Sequence, residues 1–364
     1  MKVLSLFSGI GATEKALERE NIPFDLVNYC EIDKYASKAY SLIHNIDESK
    51  NLGDITKIKV EDIPYCDMIS HTSPCQSFSA AGKGGGGKRD SGTESSLMWY
   101  SVDIILKMKP KIVLWENVAN VLSKKHFPVF QEYLSTLEDA GYINSYSILD
   151  AKDFGIPQSR KRIFCISRLN NRFSFDSIKT SPSPKLCDIM EKEVDSKYYM
   201  TDEQLKRIYN WKAFERPLRK VLGVNSISST LTARGAGEWR SGIKLYSEKF
   251  DNTTDVDLFI GNGALRTRVI SDNEQGAKLE LRKGDISNCL TTIPTDNVVY
   301  NDLGIRRFTP KECFRLVGFD DEDYEKVKDF SDSRLYKMAG NSIVVNVLQA
   351  IFKELFRCEG RNKR

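Results

Sequence analysis

The sequence predicts a doubly wound α/β domain with a mostly parallel sheet, joined to a second, smaller and irregular β-rich domain. Three observations support this. Short β-branched and apolar runs alternate with amphipathic, helix-length stretches over roughly the first 170 residues. The alternation stops at Thr180-Ser181-Pro182-Ser183-Pro184, where glycine- and Thr/Ser-rich sequence begins, and a helical pattern returns at Asn341-Ser342-Ile343-Val344-Val345-Asn346-Val347-Leu348. The expected division is residues 1–180, residues 181–329, and residues 330–364 returning to the first domain.

Taken in order, KVLSLF, DLVNYC, DMISHT and KIVLWE read as strands, and ATEKALERE, KYASKAYSLI, SLMWYSVDIILKM and FPVFQEYLSTLEDAG as helices that stop near glycine or proline. Strands alternating with helices make a parallel sheet, and such a sheet binds ligands at the carboxyl ends of its strands. Those ends therefore hold the candidate site.

Composition narrows the class. The 364 residues are 40% hydrophobic and 29% charged, ordinary for a globular chain. No run approaches the ~18 apolar residues of a membrane span, and the apolar N-terminus passes into a glycine turn too soon for a signal peptide; the chain is expected to be cytoplasmic, or nuclear or viral in an intracellular setting. Eight cysteines without a Cys-x-x-Cys spacing, and only His44, His71 and His126 as imidazoles, predict no metal site. The net charge is only +4, but Arg160, Lys161, Arg162, Arg168 and Arg172 fall in one acid-free stretch, and Lys206, Arg207, Lys212, Arg216, Arg219 and Lys220 form another. Each is either solvated surface or a phosphate-binding face.

At the first strand end, Phe7-Ser8-Gly9-Ile10-Gly11-Ala12 supplies a tight turn into a helix, and Glu31 follows about twenty residues later, the spacing at which a carboxylate meets two ribose hydroxyls. Position 14, where a dinucleotide fingerprint wants a third glycine, is Glu14. An acid there would repel a pyrophosphate, so the pattern favours S-adenosylmethionine, which has a ribose and a cationic sulfonium but no phosphate. Asp54 in Gly53-Asp54-Ile55 is placed to accept from an adenine amino group.

The third strand delivers Ser73-Pro74-Cys75-Gln76-Ser77-Phe78 just before a glycine-rich loop. A thiol there needs basic neighbours to ionise near neutrality. The next strand ends in Glu116-Asn117-Val118, and Ile156-Pro157-Gln158-Ser159-Arg160-Lys161-Arg162-Ile163 alternates basic side chains.

The blocks FSGIGA, YCEID, GDI, SPCQSFS, ENV, IPQSRKRIF, RRFTPKECFRLVGF and GNSIVVNV, in this order, resemble the cytosine-5 DNA methyltransferases. The resemblance spans nearly the whole chain except roughly 185–285, where that family carries its variable target-recognition region. It departs at Ala12, in place of a second glycine, and at His71-Thr72-Ser73 ahead of the Pro-Cys-Gln. It implies a Rossmann-like methyltransferase fold and a methyl group passed from S-adenosylmethionine to carbon 5 of a flipped cytosine in double-stranded DNA. Cys75 would be the covalent nucleophile and Glu116 the partner of ring nitrogen 3. Arg162 would meet the base carbonyl and Arg160 the thiol loop. Phe7, Gly9, Gly11, Glu31, Ile32, Asp54, Ile55 and Asn341 would hold the cofactor, with Ile32 and Ile55 as walls of the adenine slot. Asn117 is expected to brace the Pro-Cys loop.

Gln76 is expected to touch DNA, as are Ser79, Lys83, Lys88 and Arg89 of a lid spanning Ser79 to Ser96 and Arg234 and Arg240 of the recognition segment. Asn288-Cys289-Leu290-Thr291 resembles the family's Thr-Leu element near the flipped nucleotide. The chain is expected to act as a monomer, without metal or membrane. The alternatives are the tRNA-methylating branch of the family, whose Cys-Phe-Thr motif is not visible, and a catalytically silent DNA-binding homologue, which would be expected to lose Cys75 or Glu116. A nicotinamide oxidoreductase is disfavoured by Glu14.

Overall fold

The computed structural model describes residues 1–78, 85–199, 201, 261–271, 274–282, 287–288, 298–301 and 304–357. Six strands form the main sheet: β1 (Lys2–Leu6), β2 (Asp25–Cys30), β3 (Met68–His71), β4 (Ile112–Val118), β5 (Ile143–Asp150) and β7 (Lys161–Arg168), with β6 (Gln158–Ser159) preceding the last. Their order is β2-β1-β3-β4-β7-β5. β1 runs parallel to β2 and β3, and β3 to β4; β7 is antiparallel to both β4 and β5.

Period-two alternation in these strands builds two cores. Val3, Met68, Ile112, Leu114, Phe164 and Ile166 enter one hydrophobic cluster, while Leu4, Ile69, Val113, Trp115, Ile163 and Cys165 enter another. The second is covered by α3 (Met98–Met108) and α4 (Phe127–Asp139), through Met98, Trp99, Val102, Ile105, Phe130, Tyr133 and Leu137. The first takes Ala16 and Leu17 of α1 (Ala12–Arg19), Ala39 and Ile43 of α2 (Lys34–His44), and four helices from the far end of the chain. These are α5 (Pro310–Leu316), α6 (Asp321–Glu325), α7 (Asp332–Asn341) and α8 (Val345–Arg357). Val345, Leu348, Ile351, Phe352 and Leu355 form the buried stripe of α8 at helical spacing. Each such side chain stabilises the fold by about 1.5–3 kcal/mol when removed from water.

The sequence reading assigned residues 308–329 to the middle segment, yet Phe308, Cys313, Phe314, Leu316, Val317, Phe319 and Val327 share the core that contains Val3 and Leu17. A capping box fixes the re-entry. Thr309 accepts from the Glu312 amide at 3.2 Å and the Glu312 carboxylate accepts from the Thr309 amide at 2.9 Å, with Pro310 at the first helical position.

Between them, β8 (Gly261–Ser271), β9 (Glu274–Arg282), β11 (Val298–Asn301) and β12 (Gly304–Arg307) form an antiparallel sheet in the order β12-β11-β8-β9. β10 (Ser287–Asn288) pairs in parallel with β6, placing Asn288 opposite Ser159.

Candidate active site

The turn after β1 is held in an unusual backbone. Phe7 (φ 55°), Gly9 (φ 56°) and Gly11 (φ 84°) are all left-handed, a conformation that strains any residue with a β-carbon. At Phe7 the Thr72 hydroxyl offsets the strain by donating to its carbonyl at 2.9 Å, while the Ser8 amide donates to Cys30 at 3.0 Å. A cleft opens above the turn. It is lined by Ser5 to Gly9, Ala12, Thr13, Ser70, Thr72 and the Asn341-Ser342-Ile343 segment.

Glu31 closes one end of the turn: its carboxylate accepts from the Gly9 amide at 2.9 Å and the Asp33 amide at 2.8 Å. Burial raises its pKa, against the lowering pull of those amides. Asn51, which the sequence did not single out, organises this corner. Its carbonyl accepts from the amides of Glu31 and Gly53, and its amide donates to the Glu31 carbonyl at 2.9 Å. Asp54 then caps the turn at Thr56. Ile32 is 74% exposed, whereas Ile55 is buried with Leu4 and Ile69. Of the two expected adenine walls, only Ile32 presents an open apolar face.

These residues fit S-adenosylmethionine. A β-carbon at Gly9 would meet no atom within 4 Å, so the backbone there faces open space beside the Glu31 carboxylate, and the cleft lining is neutral. Glu14, however, does not act as supposed. It is 1% exposed and turned inward, accepting from the Ser5 hydroxyl, and burial raises its pKa. It lies outside the cleft lining and repels nothing there.

Cys75 follows β3 in a tight turn closed by the Phe78 amide on its own carbonyl at 3.0 Å. The loop is fastened from three sides. Asn117 donates to the Ser73 carbonyl at 3.0 Å, the bracing expected of it; the Trp115 indole reaches the Ser73 hydroxyl at 3.3 Å, and Asn120 binds the Phe78 carbonyl. Cys30, Cys66, Cys165 and Cys313 are buried, but Cys75 is only half-buried. Glu116, 8% exposed, accepts from Arg162 Nε at 3.2 Å.

Burial raises the pKa of the Cys75 thiol; Arg162 pulls it down, Glu116 pushes it up and Arg160 pulls it down. Burial likewise raises Glu116, opposed by Arg162 and Arg160. A protonated Glu116 removes one of the influences that disfavour the Cys75 thiolate, so a neutral carboxyl and an ionised thiol favour each other here.

Arg160 works through the backbone. Its guanidinium donates to the carbonyls of Gly340 at 3.0 Å and Ser342 at 2.8 Å, gripping both sides of Asn341. One arginine thus ties the thiol side of the site to the cofactor cleft. The basic stretch that contains it is not one face. The extended strand β7 carries Arg162 and Arg168 to opposite edges of the sheet, and its antiparallel course puts Arg162, paired with Val118, at the carboxyl edge, with Arg168 beside Ile112 at the other.

The lid expected from Ser79 to Ser96 is pinned over much of its length. The Gly86 amide donates to Ser77 at 3.1 Å, Thr93 to the Gly86 carbonyl at 2.8 Å, and the Trp99 indole to the Gly87 carbonyl at 2.8 Å. Gly87 packs so closely that a β-carbon would lie 2.4 Å from the Phe78 ring. Gln76 and Lys88 are exposed; Arg89 is engaged by Asp103 and lies over Trp99 at 5.1 Å. Ser79, Lys83, Arg234 and Arg240 lie outside the described residues, as do Cys289-Leu290-Thr291 and the second basic cluster. Among the described residues there is no group of three or more potential metal ligands and no helix long and apolar enough to cross a membrane.

A glycine-turn cleft, a ribose-spaced carboxylate and a cysteine beside a buried glutamate and arginine define an S-adenosylmethionine-dependent methyltransferase of the Rossmann-like class. The family model for C-5 cytosine-specific DNA methylases matches residues 1–357, and the chain belongs to that family. It is 30% identical to the orphan methyltransferase M.SPRI of Bacillus phage SPR, over 98% of this chain and 97% of that one. It is 29% identical to the type II methyltransferase M2.ScrFI of Lactococcus lactis subsp. cremoris, over 99% and 100%. Among solved structures it resembles the S. pombe Dnmt2 methyltransferase, with a TM-score of 0.64, 20% identity and 99% of each chain covered. The protein is a DNA cytosine-5 methyltransferase that uses S-adenosylmethionine.

Proposed function

We propose that Cys75 adds to carbon 6 of a cytosine turned out of a short, specific double-stranded site, and that one copy of the chain does this alone. The observation that supports it is the half-buried thiol sharing the sheet mouth with the Glu116–Arg162 pair. Addition breaks the aromaticity of the ring and makes carbon 5 nucleophilic. Glu116, kept protonated by burial, gives its proton to ring nitrogen 3 and then pairs as a carboxylate with Arg162, which also donates to the base carbonyl. S-adenosylmethionine in the cleft supplies an electrophilic methyl group. A water then takes the carbon 5 proton, the electrons left behind expel the Cys75 thiolate, and ring nitrogen 3 returns its proton to the Glu116 carboxylate as the ring is restored. Turning the base out costs a few kcal/mol.

Sequence recognition is assigned to the segment between about 181 and 307, with Arg234 and Arg240 among its DNA contacts, and Gln76, Ser79, Lys83, Lys88 and Arg89 are assigned to DNA on the side of the thiol loop. The pairing of β10 with β6, one residue before Arg160, supports a nearby position for the Asn288 element. Bisulfite sequencing of plasmid DNA from cells producing the chain should show full modification of one short motif, and Cys75→Ser should erase it. Modification that survives Cys75→Ser would overturn the nucleophile.

A further inference from the structure

Ser95 lies in the 3-10 turn Glu94–Leu97 that leads into α3, far from Cys75 in sequence and fully buried. Its hydroxyl donates to the Pro74 carbonyl at 2.8 Å and accepts from the Ser77 amide at 3.1 Å. One oxygen therefore holds the chain immediately before Cys75 and two residues after it. The Cys75 carbonyl is already taken by the Phe78 amide, and Pro74 has no amide hydrogen with which to form a compensating bond. Without Ser95 the Ser77 amide and the Pro74 carbonyl lose these partners beside the thiol, a cost the loop can escape only by moving. The turn carrying Ser95 is anchored by Met98, Trp99 and Val102 in the core under β4, so the hydroxyl is a fixed post. Asn117, Trp115 and Asn120 fasten the outer residues Ser73 and Phe78, and Ser95 fastens the inner ones.

We propose that Ser95 is a positioning residue for the nucleophile: it sets the place of the Cys75 thiol for attack on carbon 6 and touches neither DNA nor cofactor. This rests on the reading of Cys75 as nucleophile. It assigns to the reaction a side chain that the fold alone would class as packing.

Ser101 provides the internal control. It is equally buried, lies within α3 itself just beyond the turn that carries Ser95, and its hydroxyl has no hydrogen-bond partner. The test compares wild type, Ser95→Ala, Ser95→Cys, Ser101→Ala and Cys75→Ser. It measures the single-turnover rate of adduct formation with DNA containing 5-fluorocytosine, where fluorine blocks release, alongside the Kd for S-adenosylhomocysteine and for unmodified DNA. Ser95→Ala should slow adduct formation at least tenfold with both Kd values within about twofold. Ser95→Cys, which fills the volume and keeps a weak donor, should recover part of the rate, and Ser101→Ala should match wild type. If Ser95→Ala does not fold, a folded Ser95→Cys still slower than Ser101→Ala in the adduct step alone supports the role. An adduct rate within twofold of wild type in Ser95→Ala, or a loss shared proportionately by both Kd values, overturns it. An adduct that persists in Cys75→Ser sinks the nucleophile assignment instead, and is recognised by that variant alone.

Discussion

The imidazole of His44 occupies the space where a side chain on Gly11 would begin: a β-carbon there would lie 2.1 Å from Nε2. The ring is held by the Ile10 carbonyl at 3.1 Å and the Glu18 carboxylate at 3.2 Å, so it has nowhere to go. Gly9, two residues earlier, shares the left-handed backbone but faces open space. Gly11→Ala should therefore damage the fold itself, and Gly9→Ala chiefly the cofactor site. Thermal melts should show a larger loss for Gly11→Ala. Gly9→Ala should cost only the strain of about 1–3 kcal/mol while weakening S-adenosylhomocysteine binding at least tenfold in a titration. Equal melting temperatures for the two variants would contradict this.

Glu14 makes stability depend on pH. Its folded pKa is raised by burial, against the charge of His44 and the Ser5 bond, so the folded chain holds this proton more tightly than the unfolded one. The contribution is complete below the ordinary carboxyl value of about 4.5 and is lost as pH rises through the folded value. Glu14→Gln cannot titrate. Its melting temperature should match wild type near pH 4 and exceed it increasingly toward pH 8; a constant difference would show that the carboxyl does not ionise in this range.

His71 acts with the opposite sign. It is fully buried, bonded to Tyr133 at 3.1 Å, and its pKa falls to about 3 through burial. The stability it contributes is present above the ordinary value of 6.5 and is lost as pH falls toward 3. Over that window wild type should lose about 1.4 kcal/mol per pH unit from this group. Urea denaturation of His71→Phe, which keeps an aromatic ring among Trp115 and Tyr133, should show a shallower decline by that amount.

On the proposed mechanism Glu116 acts protonated and Cys75 as the thiolate. Rates should rise with pH as the thiol ionises and fall as Glu116 loses its proton, each displaced upward by burial. Glu116→Gln should lower kcat by about 10²–10⁴, leave S-adenosylhomocysteine affinity unchanged, and abolish the alkaline decline. A bell-shaped profile retained by the variant would assign that limb elsewhere.

Much of this was legible in the sequence because it is local. The first four strands and the helices between them follow from period and termination signals, and Cys75, Glu116 and Glu31 from their positions at strand ends. What escaped is set by pairing across the chain. β5, Ile143–Asp150, is an edge strand of Asn, Ser and Tyr whose buried Asn144 is satisfied by Leu134 and Ser167, and its polarity hides the strand. The extended backbone of β7 separates Arg162 from Arg168, although in sequence they form one basic run, and its antiparallel course is what brings Arg162 to the carboxyl edge. Glu14 reads as a surface acid until Ser5 and burial are seen around it. The hold on the described part of the glycine loop, with Gly87 packed on Phe78 and bonded to the Trp99 indole, comes from residues outside the loop's own pattern. Asn51 and Ser95 act through backbone groups, which no residue pattern advertises.

The far wall of the cofactor cleft, Asn341 to Ile343, and the helices behind it are made more than three hundred residues after the glycine turn that faces them. During synthesis the turn therefore waits without its counterpart, and its apolar strands wait without α8, while those residues are added. Cofactor capture is expected only once Asn341 to Ile343 have been made, and chains that stop short of them should be silent toward DNA. That interval is when exposed Val3 and Leu17 most need protection from aggregation.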